Sequence, residues 1–234
     1  MIKVDYAFLF IMLDKSIVLL SGGMDSLLTL AIAIEQKKNP FALHINYLQN
    51  TQKKELAAYN DICDHYKLPD EQRLVIDIDY LAKIGGTSLI NNEIIQEKNH
   101  SDIPNSYVPF RNANILSIAT AWAEVINANS LFIGASQVDY SGYPDCRQVF
   151  FDAFEKAINL GTKPETKIKI VTPLMEMTKA DVVRKGIELK VPFELSWSCY
   201  FDNDKACGIC DSCKLRLSGF NKVGIKDPIP YNSL

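Results

Sequence analysis

The sequence has little net charge and contains no long apolar run. Among its 234 residues, 25 Lys and Arg stand against 28 Asp and Glu, giving a formal net charge of −3. This balance provides no general attraction to nucleic acid, so a basic RNA-binding face would have to be local. No apolar stretch approaches the roughly 20 residues that a membrane-spanning helix needs. The composition, 47% apolar and 23% charged, is that of a soluble globular protein.

The N-terminus lacks the features of a secretory leader. One basic residue, Lys3, precedes the apolar run 7–13, Asp14 and Lys15 follow it, and no small-residue cleavage site appears. We expect residues 1–14 to form an N-terminal extension. Residues 1–11 are either dispensable, which we favour, or an extra edge strand. We therefore predict a cytoplasmic protein without membrane or nucleic-acid partners.

Strand-like and helix-like patterns alternate along the chain. This alternation predicts an α/β fold with a doubly wound, mostly parallel sheet, in which ligands bind beyond the carboxyl ends of the strands. Residues 80–108 are rich in Gly, Asn, Ser and Pro, which is typical of a mobile lid or binding loop. We predict strands at 16–20, 41–45, 73–78, 130–134 and 168–171, and helices near 27–34, 52–67, 112–128, 146–160 and 178–190.

The hexapeptide Ser21–Ser26, SGGMDS, stands between the first strand and the first helix. Glycines allow a close backbone approach to a ligand, and the N-terminus of a helix favours a phosphate. The GxxxxGK[ST] pattern of P-loop proteins is missing. The hexapeptide resembles the SGGxDS loop of the ATP pyrophosphatase (PP-loop) superfamily, whose members break ATP between the α and β phosphates. The alternative is an ordinary strand-to-helix turn with Asp25 as its N-cap.

We assign the loop and the helix that follows to nucleotide binding. In this interpretation Ser21 and Ser26 add hydroxyl donors, and Asp25 caps the helix or holds a metal ion beside the phosphates. The predicted nucleotide-binding residues are Leu20, Ser21, Gly22, Gly23, Met24, Asp25, Ser26, Leu27, Leu28, Thr29 and Leu30.

Four of the six cysteines crowd near the C-terminus. Cys199, Cys207, Cys210 and Cys213 follow the pattern C-x7-C-x2-C-x2-C, which can surround one tetrahedral cation. The alternatives are a chance group of reduced thiols and an iron–sulfur cluster. The proline that follows the last cysteine of the ferredoxin pattern is absent, so we favour structural zinc over iron–sulfur.

Further segments resemble the 7-cyano-7-deazaguanine synthases, the QueC family. The resemblance runs from about residue 15 to residue 219. Phe110 departs from it, since many members have Gly there, and could narrow the mouth of the pocket; residues 196–198, SWS, also depart. The matching segments are Asp139–Arg147 (DYSGYPDCR), Val108–Asn112 (VPFRN), Thr172–Met175 (TPLM), Lys179–Asp181 (KAD) and the region from Ser198 to Arg216.

The resemblance implies a fold like that of the adenine nucleotide alpha hydrolases. It implies a nucleotide-binding domain at 15–195 and a small C-terminal zinc-binding region at 196–234. The implied enzyme is an ATP-dependent carbon–nitrogen ligase of queuosine biosynthesis. It would convert 7-carboxy-7-deazaguanine and ammonia into the 7-cyano product through an adenylated acid and an adenylated amide, releasing AMP and pyrophosphate. Its cofactors would be structural Zn²⁺, with Mg²⁺ accompanying ATP, and it would form a homodimer.

The residue roles also follow from the resemblance. The guanine-like edge of the substrate needs a carboxylate acceptor, for which Asp139 and Asp145 are both candidates. Tyr143 or Tyr140 could stack on the ring. Cationic side chains suit the substrate carboxylate and the phosphates. The predicted substrate-binding residues are Arg111, Asn112, Asp139, Tyr143, Asp145 and Arg147, and the predicted catalytic residues are Asp25, Lys179 and Arg111.

Other interpretations stay open at this point. Residues 141–145 could form a plain surface turn. A tRNA-modifying pyrophosphatase would need a basic stripe or an RNA domain, and neither is visible. A nucleotide-binding zinc module that acts as a sensor is the non-enzymatic alternative. We assign no role to His44, and the general base stays unassigned.

Overall fold

The computed structural model describes residues 14–91, 103, 106–136, 138 and 142–232. The predicted N-terminal extension lies outside these residues except for Asp14, and so do Asp139 and Tyr140. The strands are β1 Lys15–Leu19, β2 Asn39–Asn46, β3 Arg73–Asp77, β4 Ser130–Phe132 and β5 Lys169–Val171. The helices are α1 Met24–Glu35, α2 Gln52–His65, α3 Tyr80–Ile84, α4 Ser88–Asn91, α5 Arg111–Ile126, α6 Gln148–Gly161, α7 Lys179–Glu188 and α8 Asp211–Val223.

The five strands form one parallel sheet in the order β3-β2-β1-β4-β5. The central strand β1 pairs Ile17 with Phe41 of β2 and with Leu131 of β4. Strand order therefore reverses beside β1, and a crevice opens between the carboxyl ends of β1 and β4. This topology confirms the predicted doubly wound α/β fold.

Side chains of β1 alternate between two apolar clusters. Ile17 and Leu19 pack with residues of α5 and α6, such as Leu116 and Phe151. Val18 packs on the opposite face of the sheet with residues of α1, α2, α7 and α8. Both faces of the sheet are thus covered by helices, which is why β1 is apolar along its whole length.

The chain between β3 and α5 differs from the prediction of an irregular segment. In its described part, it forms the short helices α3 and α4. Leu81 and Leu89 anchor these helices because both side chains are buried in the main core. No helix within the described residues is both long enough and apolar enough to cross a bilayer.

Candidate functional site

A cavity of about 300 Å³ lies where β1, β2 and β4 end. This is the crevice at the reversal of strand order, where ligands bind in sheets of this kind. Residues from distant parts of the sequence meet here. Its lining includes Leu20, Ser21, Gly23, Met24, Asp25, Ser26, Tyr47, Gln49, Asn50, Thr51, Glu55, Arg111, Asn112, Gly134, Tyr143, Cys146, Lys179, Trp197, Ser198, Tyr200 and Ser212.

The glycine loop depends on backbone geometry that other residues do not adopt readily. Gly22 has φ +90°, and a Cβ atom there would lie 2.6 Å from the carbonyl oxygen of Glu55. Across the crevice, a Cβ atom on Gly134 would lie 2.9 Å from the carbonyl oxygen of Asp25. The loop is therefore held tightly between α2 and the segment that follows β4.

The polar groups of the loop bond mainly to one another. Ser21 Oγ donates to Ser26 Oγ at 3.2 Å, and Ser26 Oγ donates to the Gly23 carbonyl oxygen at 2.9 Å. Gly23, not Asp25, occupies the N-cap position of α1, and no described side chain caps this helix. The predicted alternative role of Asp25 as the N-cap is therefore wrong. Met24, Asp25 and Ser26, the first residues of α1, line the cavity, and the free N–H groups of a helix N-terminus can bind an anion.

Lys179 connects α7 to this loop. Its Nζ atom lies 2.7 Å from Asp25 Oδ2, and only 13% of its side chain is exposed. Asp25 Oδ1 is buried and has no hydrogen-bond partner among the described residues. A carboxylate oxygen of this kind can bind a cation that accompanies phosphates. The structure thus brings Asp25 and Lys179 together beside the glycine loop.

The later part of the predicted nucleotide-binding stretch lies in the core instead. The side chains of Leu27, Leu28, Thr29 and Leu30 are fully buried and do not line the cavity. Thr29 Oγ1 donates to the Asp25 carbonyl oxygen at 2.8 Å. These four residues support the helix that carries the loop.

Arg111 places a positive charge on the other side of the cavity. It begins α5, and its Nη1 atom donates to the hydroxyl oxygen of Tyr47 at 3.0 Å. The guanidinium carbon lies 5.6 Å from the centre of the Tyr47 ring. Within the described part of the chain, Arg111 makes no ion pair with a carboxylate. It is therefore suited to an anionic group of a ligand.

Phenol groups surround this cation. Burial raises the pKa of Tyr47, of Tyr143 and of Tyr200, so these side chains stay uncharged at neutral pH. The hydroxyl oxygen of Tyr143 lies 2.8 Å from Ser106 Oγ, and its ring centre lies 5.5 Å from that of Tyr107. The cavity thus offers flat aromatic surface next to the Arg111 cation.

The other predicted substrate residues lie in different surroundings. Asp145 is 3% exposed, and its Oδ2 atom accepts from the backbone N–H of Asn112 at 2.9 Å. This carboxylate therefore holds the start of α5. The Arg147 side chain donates to the Pro144 carbonyl oxygen at 3.0 Å and does not line the cavity. Asp139 lies outside the described residues.

Two further side chains, Phe110 and His44, lie outside the cavity lining. Phe110 is 58% exposed and is not part of the cavity lining. His44 is buried, with Nδ1 lying 3.0 Å from the Leu20 carbonyl oxygen and Nε2 lying 3.1 Å from Asn46 Oδ1. Both ring nitrogens of His44 are thus occupied by structural contacts.

Sequence reasoning missed the polar segment that follows β2. Tyr47, Gln49, Thr51 and Glu55 all line the cavity. Their position directly after a buried parallel strand was the available signal, because such positions face the ligand crevice. Tyr200 was missed because it adjoins Cys199 and was counted with the metal region.

The four cysteine sulfur atoms converge, all lying within 4.8 Å of one another. Backbone N–H groups point at the sulfur atoms: Cys207 N lies 3.3 Å from Cys199 Sγ, and Cys210 N lies 3.4 Å from Cys207 Sγ. Such donors stabilise thiolates, and Cys210 directly precedes α8, whose N-terminus also favours negative charge. The donor set fits one tetrahedral metal ion.

A buried ion pair fastens the chain around this centre. Both guanidinium nitrogens Nε and Nη2 of Arg216 donate to the Asp227 carboxylate, at 2.7 and 2.9 Å. Arg216 Nη1 also donates to Ser196 Oγ at 2.7 Å, and the hydroxyl of Tyr231 donates to Asp227 at 2.7 Å. The segments before and after α8 are thereby tied together.

Comparison with known proteins agrees with this arrangement. The family described as Queuosine biosynthesis protein QueC matches residues 15–224. The chain belongs to this family. It is 57% identical over 220 residues to a 7-cyano-7-deazaguanine synthase of Chlorobium phaeobacteroides, covering 93% of this chain and 96% of the relative. A protein of the same name from Chloroherpeton thalassium is 55% identical over the same shares.

Among solved structures, a 4-thiouridine synthetase in complex with RNA and ATP is similar to this chain in fold. It aligns with a TM-score of 0.51 and 18% sequence identity, covering 93% of this chain and 47% of that one. The likeness shows that this chain and part of the synthetase share an α/β fold.

Proposed function

We propose that this chain is an ATP-dependent 7-cyano-7-deazaguanine synthase. It would convert 7-carboxy-7-deazaguanine, ammonia and ATP into the 7-cyano product. The cation of Arg111 is the observation that supports this activity best: it has no carboxylate ion pair among the described residues and shares a cavity with the glycine loop. A carboxylate substrate would neutralise that cation, and the loop would bind the phosphates of ATP.

The reaction needs the carboxylate to be activated, because a carboxylate resists attack by ammonia. The substrate oxygen would attack the α phosphate of ATP, giving the adenylated acid and pyrophosphate. Lys179 and the N–H groups of the Ser21–Ser26 loop would stabilise the charge that develops on the pyrophosphate. Ammonia then displaces AMP and leaves the amide. A second adenylation, on the amide oxygen, would allow AMP to leave and the nitrile to form.

The remaining residue roles are part of the same proposal. Asp25 would help to hold the Mg²⁺ that accompanies ATP, since its Oδ1 atom lacks another partner in the described chain. Tyr143 would stack on the deazaguanine ring. Asp139 would accept hydrogen bonds from the guanine-like edge, because Asp145 already binds the backbone of Asn112. Asn112 and Arg147 would support the substrate pocket from outside its centre.

The cysteine centre would hold zinc in a structural role. Cys199, Cys207, Cys210 and Cys213 fill all four positions of a tetrahedral ion, which leaves no open position for catalysis. Zinc would cross-link the C-terminal region, residues 196–234, internally, because all four ligands belong to it. The hydrogen bond from the Trp197 N–H to the Gly22 carbonyl oxygen then joins that region to the nucleotide-binding domain, residues 15–195. We further propose a cytoplasmic homodimer that acts on small molecules and not on nucleic acid.

Pyrophosphate release tests the activity directly. The purified protein is incubated with ATP, with and without 7-carboxy-7-deazaguanine and ammonium, and the product is identified by mass spectrometry. We expect release that depends on the acid, and a nitrile product when ammonium is present. ATP binding without acid-dependent release would favour a sensor. A brown protein that modifies tRNA would favour a sulfur-inserting pyrophosphatase.

A further inference from the structure

We propose that Glu55, held by Gln49 and Thr51, binds the ammonium ion and accepts its protons. This inference rests on the proposed function, since it names the site of the second substrate. Glu55 lines the same cavity as Arg111 and the glycine loop. In the described part of the chain it makes no ion pair. The other carboxylate in the described lining, Asp25, is paired with Lys179.

Two neutral side chains fix the position of this carboxylate. Thr51 Oγ1 donates to Glu55 Oε1 at 2.6 Å, and Gln49 Nε2 donates to Glu55 Oε2 at 3.0 Å. Gln49 and Thr51 are 5% and 2% exposed. Each carboxylate oxygen can accept more than one hydrogen bond, so both can still receive N–H groups from a ligand. An ammonium ion has one positive charge and four N–H donors, which suits this anionic group with neutral acceptors beside it.

A chain of hydrogen bonds connects this carboxylate to the cation. Arg111 Nη1 donates to the hydroxyl oxygen of Tyr47, whose backbone N–H donates to Gln49 Oε1 at 2.9 Å. Gln49 in turn donates to Glu55. All four residues line the same cavity, so a substrate whose carboxylate contacts Arg111 would share that cavity with an ammonium ion bound at Glu55. Holding the two reactants in one cavity favours attack of the nitrogen on the activated carbon.

The proton transfers can be written in full for the first stage. Ammonium gives one proton to Glu55, and the freed electron pair on nitrogen forms a bond to the carbonyl carbon of the adenylated acid. The bond from that carbon to the AMP oxygen breaks, and AMP leaves with the electron pair. The new nitrogen loses a second proton, which gives the neutral amide. Glu55 returns both protons to solvent in turn.

The same carboxylate serves the second stage, because the nitrogen stays in place. After adenylation of the amide oxygen, the nitrogen loses its two remaining protons while the bond from carbon to the AMP oxygen breaks. The products are the nitrile, AMP and two protons. Glu55 would therefore accept protons from the same nitrogen atom in both stages, from ammonium to the nitrile.

A simpler role for Glu55 is to stabilise the start of α2, since Thr51 is the N-cap of that helix. Glu55→Gln separates the two roles because the amide oxygen can still accept from Thr51. We expect the KM for ammonium to rise by about tenfold or more, as a charge-assisted hydrogen bond is lost. Glu124→Gln is the matched control, because this glutamate accepts the backbone N–H of Lys163 away from the cavity. It should leave the KM for ammonium unchanged.

The adenylation half-reaction keeps this test independent of the proposed function. Exchange of labelled pyrophosphate into ATP requires the deazaguanine acid but no ammonium, and Glu55→Gln should retain it within about twofold of wild type. If wild type shows no acid-dependent exchange, the proposed function itself fails. If exchange occurs and Glu55→Gln has an unchanged KM for ammonium, the ammonium site is wrong. Gln49→Met removes the amide that orients Glu55 and should also raise the KM for ammonium. This variant provides the test if Glu55→Gln does not fold.

Discussion

The backbone N–H of Trp197 donates a hydrogen bond to the carbonyl oxygen of Gly22, at 2.8 Å. Trp197 stands two residues before Cys199, the first cysteine of the four-cysteine cluster, and Gly22 lies inside the glycine loop. The indole N–H of Trp197 also donates to the carbonyl oxygen of Asp202 at 3.0 Å, within the cysteine region. The cysteine region therefore holds the glycine loop in place through a backbone contact.

Gly22→Ala tests how closely this loop is packed. The new Cβ atom would lie 2.6 Å from the Glu55 carbonyl oxygen, and the backbone would keep a left-handed φ. We expect acid-dependent pyrophosphate release to fall by about a hundredfold, because a displaced loop misplaces the phosphates. Gly224→Ala is the control: its φ is +79° and its Cβ would have nothing within 4 Å. An equal loss of pyrophosphate release in both variants would show that backbone strain, and not the close packing at Gly22, causes the loss.

Asp25→Ala tests the proposed role of this residue beside the phosphates. It removes the carboxylate that pairs with Lys179 at 2.7 Å, whose Oδ1 atom has no hydrogen-bond partner in the described part of the chain. We expect pyrophosphate release to drop by at least about a hundredfold, with an unchanged circular dichroism spectrum. Asp152→Ala, on the exposed side of α6, should behave like wild type. Full activity of Asp25→Ala would contradict the assignment.

Arg111→Met tests recognition of the substrate carboxylate. Loss of a charge-assisted pair of hydrogen bonds is worth about 1.5–3 kcal/mol, so the KM for the acid should rise about ten- to hundredfold. The KM for ATP should stay near that of wild type. The KM of Arg111→Lys for the acid should lie between that of wild type and that of Arg111→Met, because lysine keeps the charge but not the planar guanidinium. Initial rates at saturating ATP measure the effect. An unchanged KM for the acid would contradict the proposal that Arg111 binds the substrate carboxylate.

Cys210→Ser tests whether the metal is structural. Metal analysis of the wild-type protein should give about one zinc per chain. The substitution should lower the thermal midpoint by about 5–10 °C, with the chemistry of the remaining folded protein less affected. Cys63→Ala is the control, since this buried cysteine lies in α2 and should leave the zinc content unchanged. Iron with visible absorption would contradict the zinc assignment.

Asp227→Asn tests the buried ion pair with Arg216. Both side chains are at most 2% exposed, so the substitution leaves an uncompensated buried charge. We expect a loss of about 3–5 kcal/mol in the free energy of unfolding, measured by urea titration. Asp64→Asn breaks a pair with Arg73 in which Asp64 is 70% exposed, and should cost less than about 1 kcal/mol. Similar losses in both variants would contradict this view of the Arg216 pair.

Local patterns in the sequence were enough to predict most of the fold. The β-branched run of β1 and the glycines after it predicted the strand, the loop and α1, because each of these signals lies within a few residues. The predicted helix at 52–67 corresponds to Gln52–His65, and the one at 178–190 to Lys179–Glu188. The cysteine spacing predicted the convergence of the four sulfur atoms for the same reason.

The candidate site was only partly predictable, because it depends on contacts between distant segments. Nothing near Asp145 in sequence shows that its carboxylate binds the N–H of Asn112, which is a contact formed by tertiary packing. In the sequence, Glu55 is indistinguishable from the other polar residues of its helix. The packing of α2 against Gly22 brings it to the cavity. Which polar side chains face the cavity is thus decided by the packing of helices on the sheet.

Phe110 has φ +55°, in the left-handed region, directly before α5. That backbone costs a residue with a Cβ atom about 1–2 kcal/mol, which gives a physical reason for the glycine found here in many family members. In this chain the Phe110 ring packs edge-on against Phe150, with 6.1 Å between the ring centres. A signature that requires glycine at this position would miss this chain, so a search should also admit residues that can adopt a left-handed backbone.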